Sequence, residues 1–224
     1  MKKYILLLLA TLTLAATVKA QEELKFANHQ MSPNEIVAEW HDQNLFTASF
    51  TYHPNIKDYT LSLAQAYPCD LLNLMVSQMM GYNLSERLSG YVMDVQNGYM
   101  AGASLAELDQ SVQMCYWRCN DGGTLIAVAL QGEVYHYFNN DSDDECCDRT
   151  TVTFNDLMFF KIDKGEVMWQ ARTPLTLCGR TFDFTHYDIQ LPRSGKDIIL
   201  KHKTNPKENY RLKWNGTRFT LTHP

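Results

Sequence analysis

From Tyr91 to the C-terminus the chain is cut into short runs by turn signals. These are Asn97-Gly98, Asp121-Gly122-Gly123, Asp163-Lys164-Gly165, Arg193-Ser194-Gly195 and Asn215-Gly216. Each lies between apolar or alternating residues, the pattern of strands joined by tight turns. Long helices need more uninterrupted chain than this spacing leaves. Leu125 to Leu130 is apolar at every position, as a central strand covered on both faces requires. Residues 112–119, 124–131 and 133–138 read as three consecutive antiparallel strands. A two-residue Asn215-Gly216 loop sets Trp214 opposite Thr217, Leu212 opposite Phe219 and Tyr210 opposite Leu221. Those six share one face, with Trp214 and Phe219 as buried anchors, while Arg211, Lys213, Arg218, Thr220 and Thr222 share the other.

Before residue 90 the period changes. Ser32-Pro33-Asn34-Glu35 has the form of a capping box opening a helix to about Gln43. Residues 58–66 form a second helical stretch stopped by Pro68. From Asp70, the apolar positions Leu71, Leu72, Met75, Val76 and Met79 recur at helical spacing up to a stop at Gly81. The expected fold class is therefore α+β: N-terminal helices (about 30–90) packed on a curved antiparallel β-meander (about 91–224) in one domain, 21–224. The alternative is a closed β-barrel with the helices at one end.

The first twenty residues read as a signal peptide. Lys2 and Lys3 precede an apolar stretch from Tyr4 to about Ala16, and Val18-Lys19-Ala20 offers small residues to a signal peptidase. No Cys follows the cleavage point, so the expectation is an exported, periplasmic or secreted, soluble protein that is not a lipoprotein. Removal of Lys2, Lys3 and Lys19 takes the formal charge from −5 to −8. That balance argues against nucleic acid as a partner. No later run approaches the ~18 apolar residues of a transmembrane helix.

Export makes the even cysteine set a candidate disulfide framework: Cys69, Cys115, Cys119, Cys146, Cys147 and Cys178. Cys115 and Cys119 lie roughly 13 Å apart along a strand at ~3.3 Å per residue, too far to bridge each other. The expected order of three strands brings residue 138 back towards residues 119–124, so Cys119 is expected to bridge Cys146 or Cys147. The loop holding Asp141, Asp143, Asp144 and Glu145 offers hard oxygen ligands to Ca²⁺. Its EF-hand spacing fails, since Cys146 stands at position 6 and Val152 at position 12, and a solvated acidic loop explains it as well. Gly102-Ala103-Ser104-Leu105-Ala106 resembles a nucleophile elbow, but Ser104 with Glu107 reads more simply as a capping box for a short helix at 105–111. His186 and Asp188 would share a strand face as a loose acid–base couple. No catalytic or cofactor residue is assigned.

Trp40, Trp117, Trp169 and Trp214, with twelve tyrosines, raise a glycan platform as an alternative to core duty. The runs Asn97-Gly98-Tyr99, Met114-Cys115-Tyr116-Trp117, Tyr187 to Pro192 with Gly195 to Ile198, and Leu212-Lys213-Trp214-Asn215-Gly216 together resemble a family of uncharacterised exported bacterial proteins. That resemblance implies export and fold class, and carries no activity, ligand or catalytic residue. The expected function is a non-enzymatic binding or interaction module of the cell envelope, its partner an envelope protein or glycan. A hydrolase with a site scattered over strands and loops, or a secreted protein inhibitor, is the alternative.

Overall fold

The computed structural model describes residues 30–31, 46–49, 53–66, 69–105, 109–138, 148–163, 166–170, 175–177 and 180–223. The expected signal peptide and the helix at 32–43 lie outside them. Among the described residues the strands and helices run in the order β1 (Gln30–Met31), β2 (Phe46–Ser49), α1 (Ile56–Ala66), α2 (Asp70–Met79), β3 (Leu88–Asp94), β4 (Tyr99–Ser104) and β5 (Gln110–Arg118). There follow β6 (Thr124–Phe138), β7 (Asp148–Asp163), β8 (Glu166–Gln170), β9 (Leu175–Leu177), β10 (Arg180–Phe182), β11 (Tyr187–Gln190), β12 (Ile198–His202), β13 (Tyr210–Trp214) and β14 (Phe219–Thr222). The fold is mixed α+β and mostly strand. No helix among the described residues is long and apolar enough to cross a membrane.

All pairings are antiparallel. A seven-stranded sheet runs β2-β8-β7-β6-β5-β4-β3, a five-stranded sheet runs β1-β14-β13-β12-β11, and β9 pairs with β10. The expected single curved sheet is thus two larger sheets and a two-stranded pair, and none closes into a barrel among the described residues. The stretch read as helical, 30–90, also holds β1, β2 and the start of β3, because β14 and β8 each offer an edge that a short strand can satisfy.

Alternation along β5 explains the layers. Met114 meets the helices on one face: the Thr60 hydroxyl of α1 donates to the Ile56 carbonyl at 2.7 Å and lies 3.1 Å from the Met100 sulfur and 3.8 Å from that of Met114. On the same face the Tyr59 and Tyr116 rings meet edge-on at 5.2 Å. Cys115 and Trp117 point the other way, towards the five-stranded sheet, where Trp117, Trp214, Phe219 and Phe159 form an aromatic centre. The β6 run Leu125–Ala129 is buried on both faces. α1 begins at an Asn55–Asp58 capping box: Asn55 Oδ1 accepts from the Lys57 N–H, and Asp58 Oδ2 accepts from the Asn55 N–H. α2 buries Leu71, Leu72 and Met75.

Two registers differ from expectation. The chain does not turn at Gln131-Gly132-Glu133; β6 runs straight through as one 15-residue strand beside the 16 residues of β7. In the last hairpin Trp214 opposes Phe219, Leu212 opposes Leu221 and Arg211 opposes Thr222. The loop is therefore four residues, not two. Asn215 Oδ1 accepts from the N–H groups of Thr217 and Arg218, at 2.9 Å each, which opens the turn. The Asn120 N–H donates to the Gly216 carbonyl at 2.8 Å and the Asn120 amide donates to the Thr217 hydroxyl at 3.0 Å, docking the loop on the β5–β6 corner. Gly216 has φ +97°, and a Cβ there would lie 2.5 Å from Asn120 Oδ1. A shift of two residues preserves alternation, so the strand residues keep their faces while Thr217 and Arg218 move into the loop.

Candidate functional site

The five-stranded sheet covers only part of the seven-stranded one. Gln113 marks the boundary: its Nε2 donates to the Ile189 carbonyl and its Oε1 accepts from the Leu191 N–H, both at 3.0 Å. One row further out, five cross-strand partners stand side by side: Ser89, Ala103, Ser111, Gln131 and Asn155, on β3 to β7 in turn. At ~4.8 Å between neighbouring strands the row is about 19 Å long. All five line a groove of about 570 Å³.

The walls carry charge. Asp109 and Glu133 stand on one side, Asp188 and Lys203 on the rim of the five-stranded sheet. The Lys203 ammonium already donates to the Thr185 carbonyl at 2.9 Å. Gly132 allows the wall to approach the floor. Its φ is +155°, and a Cβ there would lie 2.4 Å from the Asp109 carbonyl oxygen, which accepts the Glu133 N–H at 3.0 Å.

Two amides on the floor have unmet hydrogen-bonding capacity. The Asn155 Nδ2 donates to both the Phe184 and Tyr187 carbonyls, which pins the side chain, 4% exposed, against the turn entering β11. Its Oδ1 is buried and without a hydrogen-bond partner among the described residues, as is the Nε2 of Gln131, the residue directly opposite. A buried donor and a buried acceptor left unmet cost about 1–3 kcal/mol each.

Asp141, Asp143, Asp144, Glu145, Cys146, Cys147 and Cys178 fall outside the described residues, as does Trp40. Among the described residues no group of three or more His, Cys, Asp or Glu side chains could hold a metal ion. Cys69, Cys115 and Cys119 are free thiols. The strand order from which a bridge from Cys119 to Cys146 or Cys147 was expected is not the one seen: β6 does not turn back, and Asp148 pairs with Phe138, at the end of β6 opposite Thr124 and Cys119. Fourteen residue steps of ~3.3 Å separate the two ends by about 46 Å. Burial raises the Cys115 thiol well above its usual value. Burial also raises Cys119, against the pull of Lys161. Lys161 in turn reaches Asp121 at 2.7 Å.

Ser104 ends strand β4 opposite Leu88 and Gln110 rather than capping a helix, and β5 starts at Gln110 inside the stretch read as helical. It does line the groove. His186 sits in a 3₁₀ turn, not a strand, and its Nε2 lies 3.7 Å from Asp183 Oδ2. It does not form the expected couple with Asp188, which alone of the two lines the groove. Trp117 and Trp214 are core residues, with the indole N–H of Trp117 donating to the Lys196 carbonyl at 3.0 Å. Compared with known proteins, the chain matches no family model, no curated protein and no solved structure.

Proposed function

We propose that this chain is an exported, non-enzymatic binding module that holds a polar ligand, borne by an envelope glycan or protein, along the uncovered end of its seven-stranded sheet. One observation carries the reading: the in-register row Ser89–Ala103–Ser111–Gln131–Asn155 forms the floor of a 570 Å³ groove. Core rows of the same sheet are filled by large apolar side chains such as Phe159 and Leu125. This row is small and polar, which suits a wet contact surface rather than packing. Export rests on the sequence alone, on the Lys2-Lys3 region, the apolar stretch and Val18-Lys19-Ala20.

Ser111 stands at the middle of the row, so Ser111→Trp should fill the floor. The expected result is that an array of glycans and peptides yields ligands held by the mature protein and released by Ser111→Trp. Ligands held equally by both proteins would overturn the groove as the site. A ligand cleaved during incubation would return the hydrolase reading. Intact mass of exported material should show the chain beginning at Gln21; a retained N-terminus with stable membrane association would overturn the export reading.

A further inference from the structure

The Gln131–Asn155 pair restricts what the groove can hold. Resting on the binding reading above, we infer that the groove takes a neutral, hydroxyl-rich ligand, a saccharide chain, and that one ligand hydroxyl bridges Gln131 Nε2 and Asn155 Oδ1.

The two side chains are direct cross-strand partners, so their Cβ atoms lie about 4.5–5.5 Å apart on one face. They present a donor beside an acceptor, both buried and both unmet among the described residues. Asn155 cannot swing away to solvent, because its Nδ2 is committed to the Phe184 and Tyr187 carbonyls. That commitment fixes Oδ1 as the acceptor. The complementary group must accept and donate at nearly one point. An ammonium cannot accept, a carboxylate or phosphodiester cannot donate, and a protonated phosphate, still an anion, would meet the carboxylates of Asp109, Glu133 and Asp188. A trans peptide unit does both, but its C=O and N–H point in opposite directions and cannot meet neighbouring partners together. A hydroxyl does both from one oxygen.

The rest of the groove repeats the demand. Ser89 and Ser111 continue the row with hydroxyls; that of Ser89 donates to the Ala103 carbonyl at 3.4 Å and keeps its acceptor lone pairs. Asp109, Glu133 and Asp188 only accept, so they call for ligand donors, and they repel anions. The one lysine on the rim already spends a donor on Thr185. A row about 19 Å long, on a four-gap ladder of ~4.8 Å, fits a chain of hydroxyl-bearing rings rather than a single small polyol.

The test uses the full mature chain and calorimetric titration with cellotetraose, maltotetraose, chitotetraose and mannotetraose. Tetra-alanine and tetragalacturonate are the peptide and anionic comparisons. Gln131→Glu replaces the free donor with an acceptor, and Gln131→Leu removes the polar atoms at similar volume. At least one neutral tetrasaccharide should bind, with affinity falling about tenfold in both variants. Because an unmet buried donor is removed, Gln131→Leu should also unfold a few degrees higher than the wild type in the absence of ligand. A neutral tetrasaccharide bound equally by wild type and both variants overturns the bridging hydroxyl. Tetra-alanine or tetragalacturonate bound in place of the neutral sugars, and lost in Ser111→Trp, overturns the saccharide while leaving the binding module standing. No binding by any of the six probes, with Gln131→Leu still more stable, overturns the saccharide inference and assigns the pair to a trapped water; the binding-module reading is then decided by the array.

Discussion

Phe219→Ala tests the packing of the two sheets most directly. The ring is 1% exposed on β14 and sits at the centre of the aromatic group. It meets Trp117 edge-on at 5.4 Å, Trp214 at 4.8 Å and Phe159 at 5.7 Å. Deleting a buried phenyl ring costs about 3–5 kcal/mol through lost transfer energy and the cavity left behind. Each aromatic pair adds about 0.5–1.5 kcal/mol beyond area, although three contacts to one ring are not additive. The upper part of the range, about 4–5 kcal/mol, is therefore expected. For a domain of this size that lowers Tm by roughly 8–20 °C. Urea unfolding followed by tryptophan emission is suited to the measurement, since Trp117 and Trp214 flank the missing ring. The midpoint should fall with an unchanged m-value. Phe219→Leu should recover more than half of the loss. A cost below about 1.5 kcal/mol, with unaltered emission, would refute the stacking of one sheet on the other through this residue.

The hairpin register is checked by Thr217→Asp, which should change stability by less than about 0.5 kcal/mol because residue 217 lies in an exposed loop and a carboxylate there can still accept from the Asn120 amide; a loss of several kcal/mol would restore the two-residue loop. Asp121→Ala should cost about 1–2 kcal/mol at neutral pH, a figure discounted because the Asp121 side chain is 59% exposed while Lys161 is left nearly buried without its partner. The Lys161 hydrogen bond holds the Asp121 carboxyl below its usual range. Its contribution is thus present above the unfolded value of about 3.9 and lost as pH falls through the lower folded value, so the wild-type and variant Tm curves should converge in acid. Alkylation of the native protein, mapped by peptide mass, should leave Cys115 and Cys119 unmodified and label both after unfolding; a Cys119 joined to another cysteine would contradict its free thiol.

What the sequence made legible was local. The helix from Asp70 could be read because Leu71, Leu72 and Met75 repeat at one face and no long-range partner contradicts them. Faces in the last hairpin were legible because alternation survives a register shift of two. Its loop length was not, since the Asn120 contacts that hold Gly216 and Thr217 come from nearly a hundred residues away. Residues 124–131 and 133–138 read as two strands with a reversal at Gly132, since glycine in a strand pattern is a break signal. Here the glycine answers a steric demand from Asp109, which no neighbour in the chain announces. That single misreading moved residue 138 to the wrong end of the sheet and removed the strand order from which the Cys119 bridge was expected. The groove was illegible for a related reason: Ser89, Ala103, Ser111, Gln131 and Asn155 are unremarkable one by one and form a row only once five strands are in register.

The groove follows from a mismatch of lengths. β6 and β7 have 15 and 16 residues, whereas β11 to β14 have four or five. Strands that short span about 17 Å at most and leave much of a ~50 Å ladder bare. Where cover ends, the exposed edge of β11 presents carbonyls that need donors. Two amides meet that need, and the contrast between them separates structure from site. Gln113 is used up, donating to Ile189 and accepting from Leu191. Asn155 gives both protons of its Nδ2 to Phe184 and Tyr187 and, among the described residues, has no partner for its Oδ1. Sealing the edge requires only the donor. The acceptor beside Gln131 has no part in holding the two sheets together, which makes it the atom of the boundary left for a ligand to use.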